Sequence, residues 1–366
     1  MKKTLSLLCV IALAMSLMAG CGQAQPAAET AAPETAPVQK ETEAPETTAA
    51  PTEAPTEAAA EAPASGMEVR VAAMKGPTAM GMTHFMNQAE TGAITDNTYN
   101  FTIAANGDEV VPKLAKGELD LASVPANLAS VVYNKTQGGV QVLAINTLGV
   151  VYMVETGDTI HSVEDLRGKT IYATGKNHTP EQILTYLLAQ NGMEIGKDVT
   201  VEWKAEAAEC LAALGAAENA IAMLPQPFVS VAQMKNEKVR VALSLTEEWD
   251  KVQASAETPC SIVTGVVVAR KAFIEEHPDV VAAFLDHYKE SVEFVNGNVE
   301  EAAKLIDHYD IVKAPVAQKA IPACNIVFIE GAEMQGKLSG YLQILFDQNP
   351  KSVGGKVPAD DFYFAR

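Results

Sequence analysis

The sequence predicts a two-lobed α/β protein whose sheets are mostly parallel and doubly wound, with a helical C-terminal region packed on the first lobe. Three observations lead there. Short apolar strands alternate with amphipathic helices from Val69 to Ser244, a cadence that builds βα units. Two apolar extended runs, Val150–Glu155 and Ile262–Val268, break that cadence because neither is joined to its neighbours by a helical pattern. From Lys271 onward the chain reads as mainly helical, and such helices need a sheet to cover.

Taken in order, Val69–Ala73 reads as strand and 79–88 as helix, then Tyr99–Ile103 as strand and 109–116 as helix. Strand 119–124, helix 125–134 and strand 140–145 follow. The same alternation resumes with strand 169–173, helix 179–190, strand 199–203, helix 206–214, and strands 220–224 and 239–244. Pro278 opens a long amphipathic helix through Phe294, as proline does at a first helical turn. The two unusual runs are expected to be crossovers that leave and re-enter the first lobe. That assigns residues 67–150 and 265–366 to lobe 1 and about 156–258 to lobe 2. Two crossovers give a hinge and a cleft. The competing arrangement is two α/β domains in tandem, which the helical tail disfavours.

Ahead of the folded region lie two segments of other character. Lys2 and Lys3 precede the apolar run 5–19, which ends in Leu17-Met18-Ala19-Gly20-Cys21. A positive start, a short apolar stretch and a small-residue cleavage site make a secretory signal peptide (residues 1–20) rather than a spanning helix. The cysteine directly after Ala-Gly resembles the bacterial lipobox, whose thiol carries a diacylglycerol. Cys21 is therefore the expected lipidation site, with acyl chains such as palmitate holding the protein on the outer face of the cell membrane. Residues 22–65 are almost entirely Ala, Pro, Thr and Glu, with Val38 the one aliphatic residue beyond alanine. Such a chain buries too little apolar surface to offset ordering entropy, so 21–66 is expected to be a disordered tether. As a flexible coil it would reach roughly 35–40 Å. A glycosylated, mucin-like stalk is the alternative reading.

Charge divides along the same segments. The signal carries +2 and the tether −7, which leaves −14 of the total −19 on residues 66–366. An acidic folded region argues against nucleic-acid binding and against docking on anionic headgroups. Cys210, Cys260 and Cys324 are too widely spaced for a metal pattern and are expected to be buried thiols. His84, His178 and His308 lack the partner spacing of a metal site, and no cofactor is expected. Met74, Met80, Met82 and Met86 read mostly as core.

The chain from Met67 to the end is similar to the substrate-binding proteins of ABC importers in the nitrate, sulfonate, taurine and thiamine-precursor group. The residues that carry the resemblance are Met74-Lys75-Gly76-Pro77-Thr78, Gly117-Glu118-Leu119-Asp120-Leu121-Ala122 and Ser162-Val163-Glu164-Asp165-Leu166-Arg167-Gly168-Lys169-Thr170. Val267-Val268-Ala269-Arg270-Lys271-Ala272-Phe273, followed by Glu276-His277-Pro278, completes them. The resemblance implies the type 2 periplasmic-binding-protein fold and a monomer that passes a small molecule to a membrane permease and its ATPase. It does not imply catalysis. An enzyme of the same fold that makes the thiamine pyrimidine carries a cysteine-rich motif, which is absent here. The remaining alternatives, another enzyme of this fold or a surface receptor or adhesin, find no nucleophile–base pair and no repeat in the sequence.

The site is expected beyond the carboxyl ends of the strands, where helix N-termini converge. In the first lobe the candidates are Lys75, Gly76, Pro77, Thr78, Asn106, Gly107, Ser123, Pro125 and Asn127. In the second they are Thr174, Gly175, Lys176, Asn177, His178, Thr179 and Gln226. Thr78 and Thr179 could equally be helix caps, and Lys176 a solvated surface residue. Two ligand classes fit: an organic anion held by helix N-termini with Lys75 and Lys176, or a heterocycle stacked by Tyr133, Tyr172 or Phe228 with Asp108 or Glu209 taking an amine.

Overall fold

The computed structural model describes residues 66–366; the signal peptide, Cys21 and the tether lie outside the described residues. The first sheet is built by β1 (Glu68–Met74), β2 (Thr98–Ala104), β3 (Leu121–Pro125) and β4 (Val140–Leu148). Between them run α1 (Pro77–Met80), α2 (Thr83–Glu90), α3 (Gly107–Lys116) and α4 (Ala126–Lys135). The helix expected over 79–88 is thus two helices, divided at Gly81 and Met82. Gly81 lies so close to Ile326 that a methyl group there would meet its Cγ2 at 2.8 Å.

The chain then enters the second sheet as β5 (Val151–Glu155), β6 (Thr170–Ala173), β7 (Thr200–Trp203), β8 (Ile221–Pro225) and β9 (Arg240–Ser244). Helices α5 (Thr179–Gln190), α6 (Ala207–Ala216) and α7 (Phe228–Lys235) connect these strands, and α8 (Leu245–Gln253) ends the lobe. It returns as β10 (Val263–Arg270), followed by α9 (Lys271–Glu276), α10 (Pro278–Gly297), α11 (Val299–His308) and α12 (Ala314–Ala320). The tail closes with strand β11 (Ile326–Ile329) and helix α13 (Gly331–Gln348). A strand in the tail departs from the helical expectation. Ile326 to Ile329 is only four residues long, too short for a period-two pattern to register, and it pairs at the edge beside β4.

The strand orders are β11-β4-β10-β3-β1-β2 and β7-β6-β8-β5-β9. The βα units pair in parallel, β1 with β2 and β3, and β6 with β7 and β8. The two crossover strands run against their neighbours: β10 is antiparallel to β3 and β4, and β5 to β8 and β9. Both sheets are therefore mixed, which a count of βα units alone does not anticipate.

Alternate residues of each crossover strand enter different cores, as period-two geometry requires. Val266 and Val268 face one cluster, Val267 and Ala269 another. Val151 and Met153 share the cluster of Val266, whereas Tyr152 and Val154 face α6 and α7. One apolar core thus runs through both lobes. Trp249 of α8, fully buried, holds it together: its ring lies 4.5 Å from Tyr186 of α5 and 5.7 Å from Tyr341 of α13. The three thiols are buried and unpaired. Burial pushes Cys260 up to about 11, so it stays a neutral packing group.

Each sheet is pinned at the end remote from the other by a buried carboxylate. Asp120, 2% exposed, accepts from Arg70 Nη2 and Arg270 Nη2 at 2.7 Å each and from the Arg70 backbone N–H at 3.0 Å. These bonds join β1, β3 and β10. In the second sheet Glu155 accepts from Thr159 N and Ile160 N at 3.0 Å and from Arg240. Burial alone would raise both carboxyls, but the hydrogen bonds and guanidinium charges outweigh it and hold them below their usual range.

Removing one partner of such a pair leaves an uncompensated charge. Asp120→Ala should therefore cost about 3–5 kcal/mol in urea unfolding. Because both folded-state values are depressed, their contribution is complete at neutral pH. It should disappear as pH falls below the ordinary carboxylate range near 4, with a smaller acid-side loss in Asp120→Ala.

Candidate functional site

The parallel strands end at one side of each sheet, and the antiparallel crossovers begin there. Pro125 at the end of β3 is the register partner of Gly265 near the start of β10. Pro225 at the end of β8 faces Val151 at the start of β5. A cavity of about 280 Å³ lies between these four strand ends. Its walls are Pro125, Asn127, Val263 and Thr264 from the first lobe, Thr179, Pro180, Ile183, His178 and Pro225 from the second, and the linking residues Val150 and Val151. The open side of both sheets, beyond the carboxyl ends, is where α/β proteins place ligands.

Two helices begin at the cavity without a side chain to satisfy their first amides. The N-cap of α4 is Pro125 and that of α5 is His178, and neither makes a side-chain cap. Pro180 has no N–H, and Glu181 and Gln182 donate to His178 O, so Thr179 and the first turn of α4 supply the donors at this point. Helix starts attract negative charge and carbonyl oxygen. The rest of the lining is aliphatic or proline, apart from the Thr264 hydroxyl and the His178 imidazole. Among the described residues, no Asp, Glu, Lys, Arg, Phe, Tyr or Trp lines the cavity, and its one aromatic ring is the His178 imidazole.

Of the residues expected from the sequence, Pro125, Asn127, His178 and Thr179 meet at this cavity. Asn177, with φ 63°, stands beside it in an adjoining chamber. Thr174, Gly175 and Lys176 form the β6–α5 connection without lining either space. Lys75 points elsewhere and pairs with Asp310 at 3.4 Å. Gly76 and Pro77 open α1, and Gly107 opens α3 against Leu128. Asn106 bonds Glu109 at 3.1 Å. Gln226 is buried and receives Ser230 Oγ at 3.0 Å, while its own N–H binds Val150 O at 2.9 Å.

Thr78 and Ser123 belong to a buried polar floor beneath the cavity. Ser123 Oγ donates to Thr78 O at 2.8 Å, Thr78 Oγ1 to Met74 O at 2.8 Å, and Asn146 Nδ2 to Ser123 Oγ at 2.6 Å. Thr147 Oγ1 completes the set by donating to Asn146 Oδ1 at 3.0 Å. Gly265 passes directly over it: a methyl group there would lie 2.3 Å from Thr78 Cγ2 and 2.4 Å from Asn146 Oδ1. Sequence reasoning missed Val150, Val151, Pro180, Ile183, Val263 and Thr264. The available signal was the pair of crossover runs, read as hinges but not as walls.

A protein-family profile described as the periplasmic substrate-binding protein of the phosphonate ABC transporter matches residues 90–318, more than half of the chain. The chain belongs to this family. As such a binding protein it captures a small molecule between its lobes for an ABC importer, outside the cytoplasm, and its family and fold are those of transport proteins. Solved structures agree on the fold. An ABC transporter protein from Parabacteroides distasonis superposes with TM-score 0.67 at 20% identity, over 81% of this chain and 99% of that one. The periplasmic aliphatic sulphonate binding protein SsuA from Escherichia coli gives TM-score 0.63 at 16% identity, over 81% and 92%. A ligand-binding component of an ABC-type import system from Staphylococcus aureus, solved with zinc bound, gives 0.58 at 18% identity, over 81% and 96%. No curated protein sequence matches. Among the described residues of this binding protein, no group of three His, Cys, Asp or Glu side chains could hold a metal ion, and no helix is long and apolar enough to cross a membrane.

Gly265→Ala should overpack the polar floor and cost about 1–3 kcal/mol of stability in chemical denaturation, with ligand binding weakened in parallel. Val267→Ala, a deletion in the same strand that leaves the floor untouched, should lose stability without that effect on affinity.

Proposed function

We propose that this protein is a lipid-anchored solute receptor whose cargo is a small organic anion with a compact aliphatic body. The observation that carries the ligand class is the cavity's composition. Two uncapped helix starts meet a wall of Val, Ile and Pro beside Thr264 and the His178 imidazole, without Phe, Tyr or Trp and without acidic residues among the described residues. A stacked heterocycle would find only the His178 imidazole to stack on, and a cationic amine needs a carboxylate. Tyr133, Tyr172, Phe228 and Glu209 do not line the cavity. The contact residues in this reading are Pro125, Asn127, His178 and Thr179, joined by Thr264, with Lys75 and Lys176 standing outside. The aliphatic sulphonate after which the Escherichia coli binding protein is named is of the same chemical class.

The same reading takes residues 67–366 as the binding domain and 21–66 as its tether. Lobe 1 is 67–150 with 265–366, and lobe 2 is 156–258. Attachment runs through Cys21, whose thiol is positioned for a thioether directly after Ala19-Gly20. Buried acyl chains at about 0.8 kcal/mol per CH₂ make a multi-chain anchor stable. A monomer held on such a tether can reach a permease and its ATPase in the same membrane.

Thermal-shift measurements on the full-length protein should show stabilisation by butanesulfonate, butylphosphonate or pentanoate and none by pyrimidines. Stabilisation by the heterocycles alone would overturn the ligand class. Thr264→Trp, which fills the cavity, should weaken anion binding at least about tenfold, whereas Lys75→Ala and Lys176→Ala should stay within about twofold. For the anchor, Cys21→Ser should abolish palmitate labelling and release the protein from the membrane fraction. Retention of both would refute lipidation at Cys21.

A further inference from the structure

The inner cavity does not end at His178. A second chamber of about 270 Å³ adjoins it, and Asn127 and His178 line both. Its other walls are the start of α5, with Asn177 and Gln182, and the 3-10 turn after α13, with Asn349, Lys351 and Ser352. The two spaces have opposite chemistry. Among the described residues the inner one holds no carboxylate, lysine or arginine, whereas the outer one is lined by amides, a hydroxyl and a lysine, with Val131 and His178 beside them. Among the described residues, no carboxylate lies within ion-pair distance of Lys351.

Gln182 supplies an independent sign that the outer chamber is incomplete as it stands. Its side chain is 93% buried, the complement of its 7% exposure. Its Nε2 donates to Leu345 O and Ser352 Oγ, both at 3.2 Å. Those two bonds fix the amide orientation, because Leu345 O can only accept. Its Oε1 is then a buried acceptor with no partner, and folded proteins rarely leave such an atom unpaired. Asn127 and Asn349 are, by contrast, used in building the walls: Asn127 Nδ2 donates to Ser352 O at 3.2 Å and Asn349 Oδ1 receives Lys351 N at 3.2 Å. The chamber is therefore a rigid polar frame with one open acceptor and one open cation.

We propose that the transported solute is an α,ω-bifunctional aliphatic acid. Its first anionic group meets the α4 and α5 helix starts in the inner cavity. Its second passes between Asn127 and His178 to Lys351, and a hydroxyl or N–H beside that second group completes Gln182. This rests on the reading of the inner cavity as an anion site and extends it by naming what lies at the other end of the molecule.

The test is isothermal titration calorimetry on the full-length protein with two probe pairs of equal carbon number: pentanoate against glutarate, and butanesulfonate against 4-sulfobutanoate. The expected result is that each bifunctional probe binds at least about tenfold more tightly than its monofunctional partner. Lys351→Ala should remove that advantage and leave the monofunctional affinities unchanged, while Lys351→Arg keeps it. Lys356→Ala, an exposed residue of the same segment, controls for net charge and should change neither. Equal affinity within each pair, or an equal loss for both probes in Lys351→Ala, would overturn the two-ended solute and leave the inner anion site standing. Failure of all four probes to bind would overturn both readings.

Discussion

Two chain crossings pass side by side between the lobes, and the cleft exists because they can come that close. Gly149 leaves the first sheet directly against Ile262, which re-enters it. A methyl group on Gly149 would lie 2.1 Å from Thr246 Oγ1 and 3.2 Å from Ile262 Cβ. Asn325 bonds Gly149 O from a third segment, and its own carbonyl receives Leu148 N at 3.0 Å. The tail strand β11 is thus fastened to the crossing as well as to β4. Everything that lines the cavity hangs from this knot, because Val150, Val151, Val263 and Thr264 are the residues on either side of it.

The knot would be of little use if the sheets could shear beneath it. Their remote ends are fixed by Asp120 and Glu155, so the free ends of the strands inherit a defined geometry. The lobes also share a core through Trp249, and Trp249 Nε1 donates to Cys260 O at 3.1 Å. Cys260 N in turn donates to Gln253 Oε1 at 3.1 Å, and Gln253 Nε2 to Tyr186 OH at 2.8 Å. The returning chain is therefore held by α8 and α5 before it becomes β10. A solute trap needs this combination: stiff lobes, with the change of shape confined to a few linking residues.

Much of the fold was legible because the strands are short, apolar and separated by helices of ordinary length. Val69–Ala73 and Ala220–Leu224 carry that signal without ambiguity. Helices α7 and α8 were not legible. Phe228–Lys235 follows two prolines and has little amphipathic contrast, and Leu245–Gln253 continues from β9 with Ser244 as its cap and no intervening loop. The antiparallel insertion of β5 and β10 was equally hidden, since strand direction depends on connections in space and leaves no trace in composition. The candidate site was half legible for a related reason. Strand-end loops can be found by counting βα units, which located Pro125, Asn127, His178 and Thr179. The aliphatic walls look like core in the sequence, because Val263 and Ile183 are core on every side but one.

That distinction also explains why the lysines misled. A glycine-flanked lysine at a strand end, such as Lys75 or Lys176, has the composition of an anion site, yet its long side chain can turn to solvent from the same backbone. Lys75 does so and finds Asp310. On the proposed reading, positive potential at the cavity comes from peptide dipoles that cannot rotate away, which suits a protein that must release its cargo. An anion held by amides in an apolar pocket loses its partners when the lobes separate, because α4 and α5 belong to different lobes. On the proposed reading, splitting the inner-cavity donors between two rigid helix starts ties the hold on that end of the solute to the closed form.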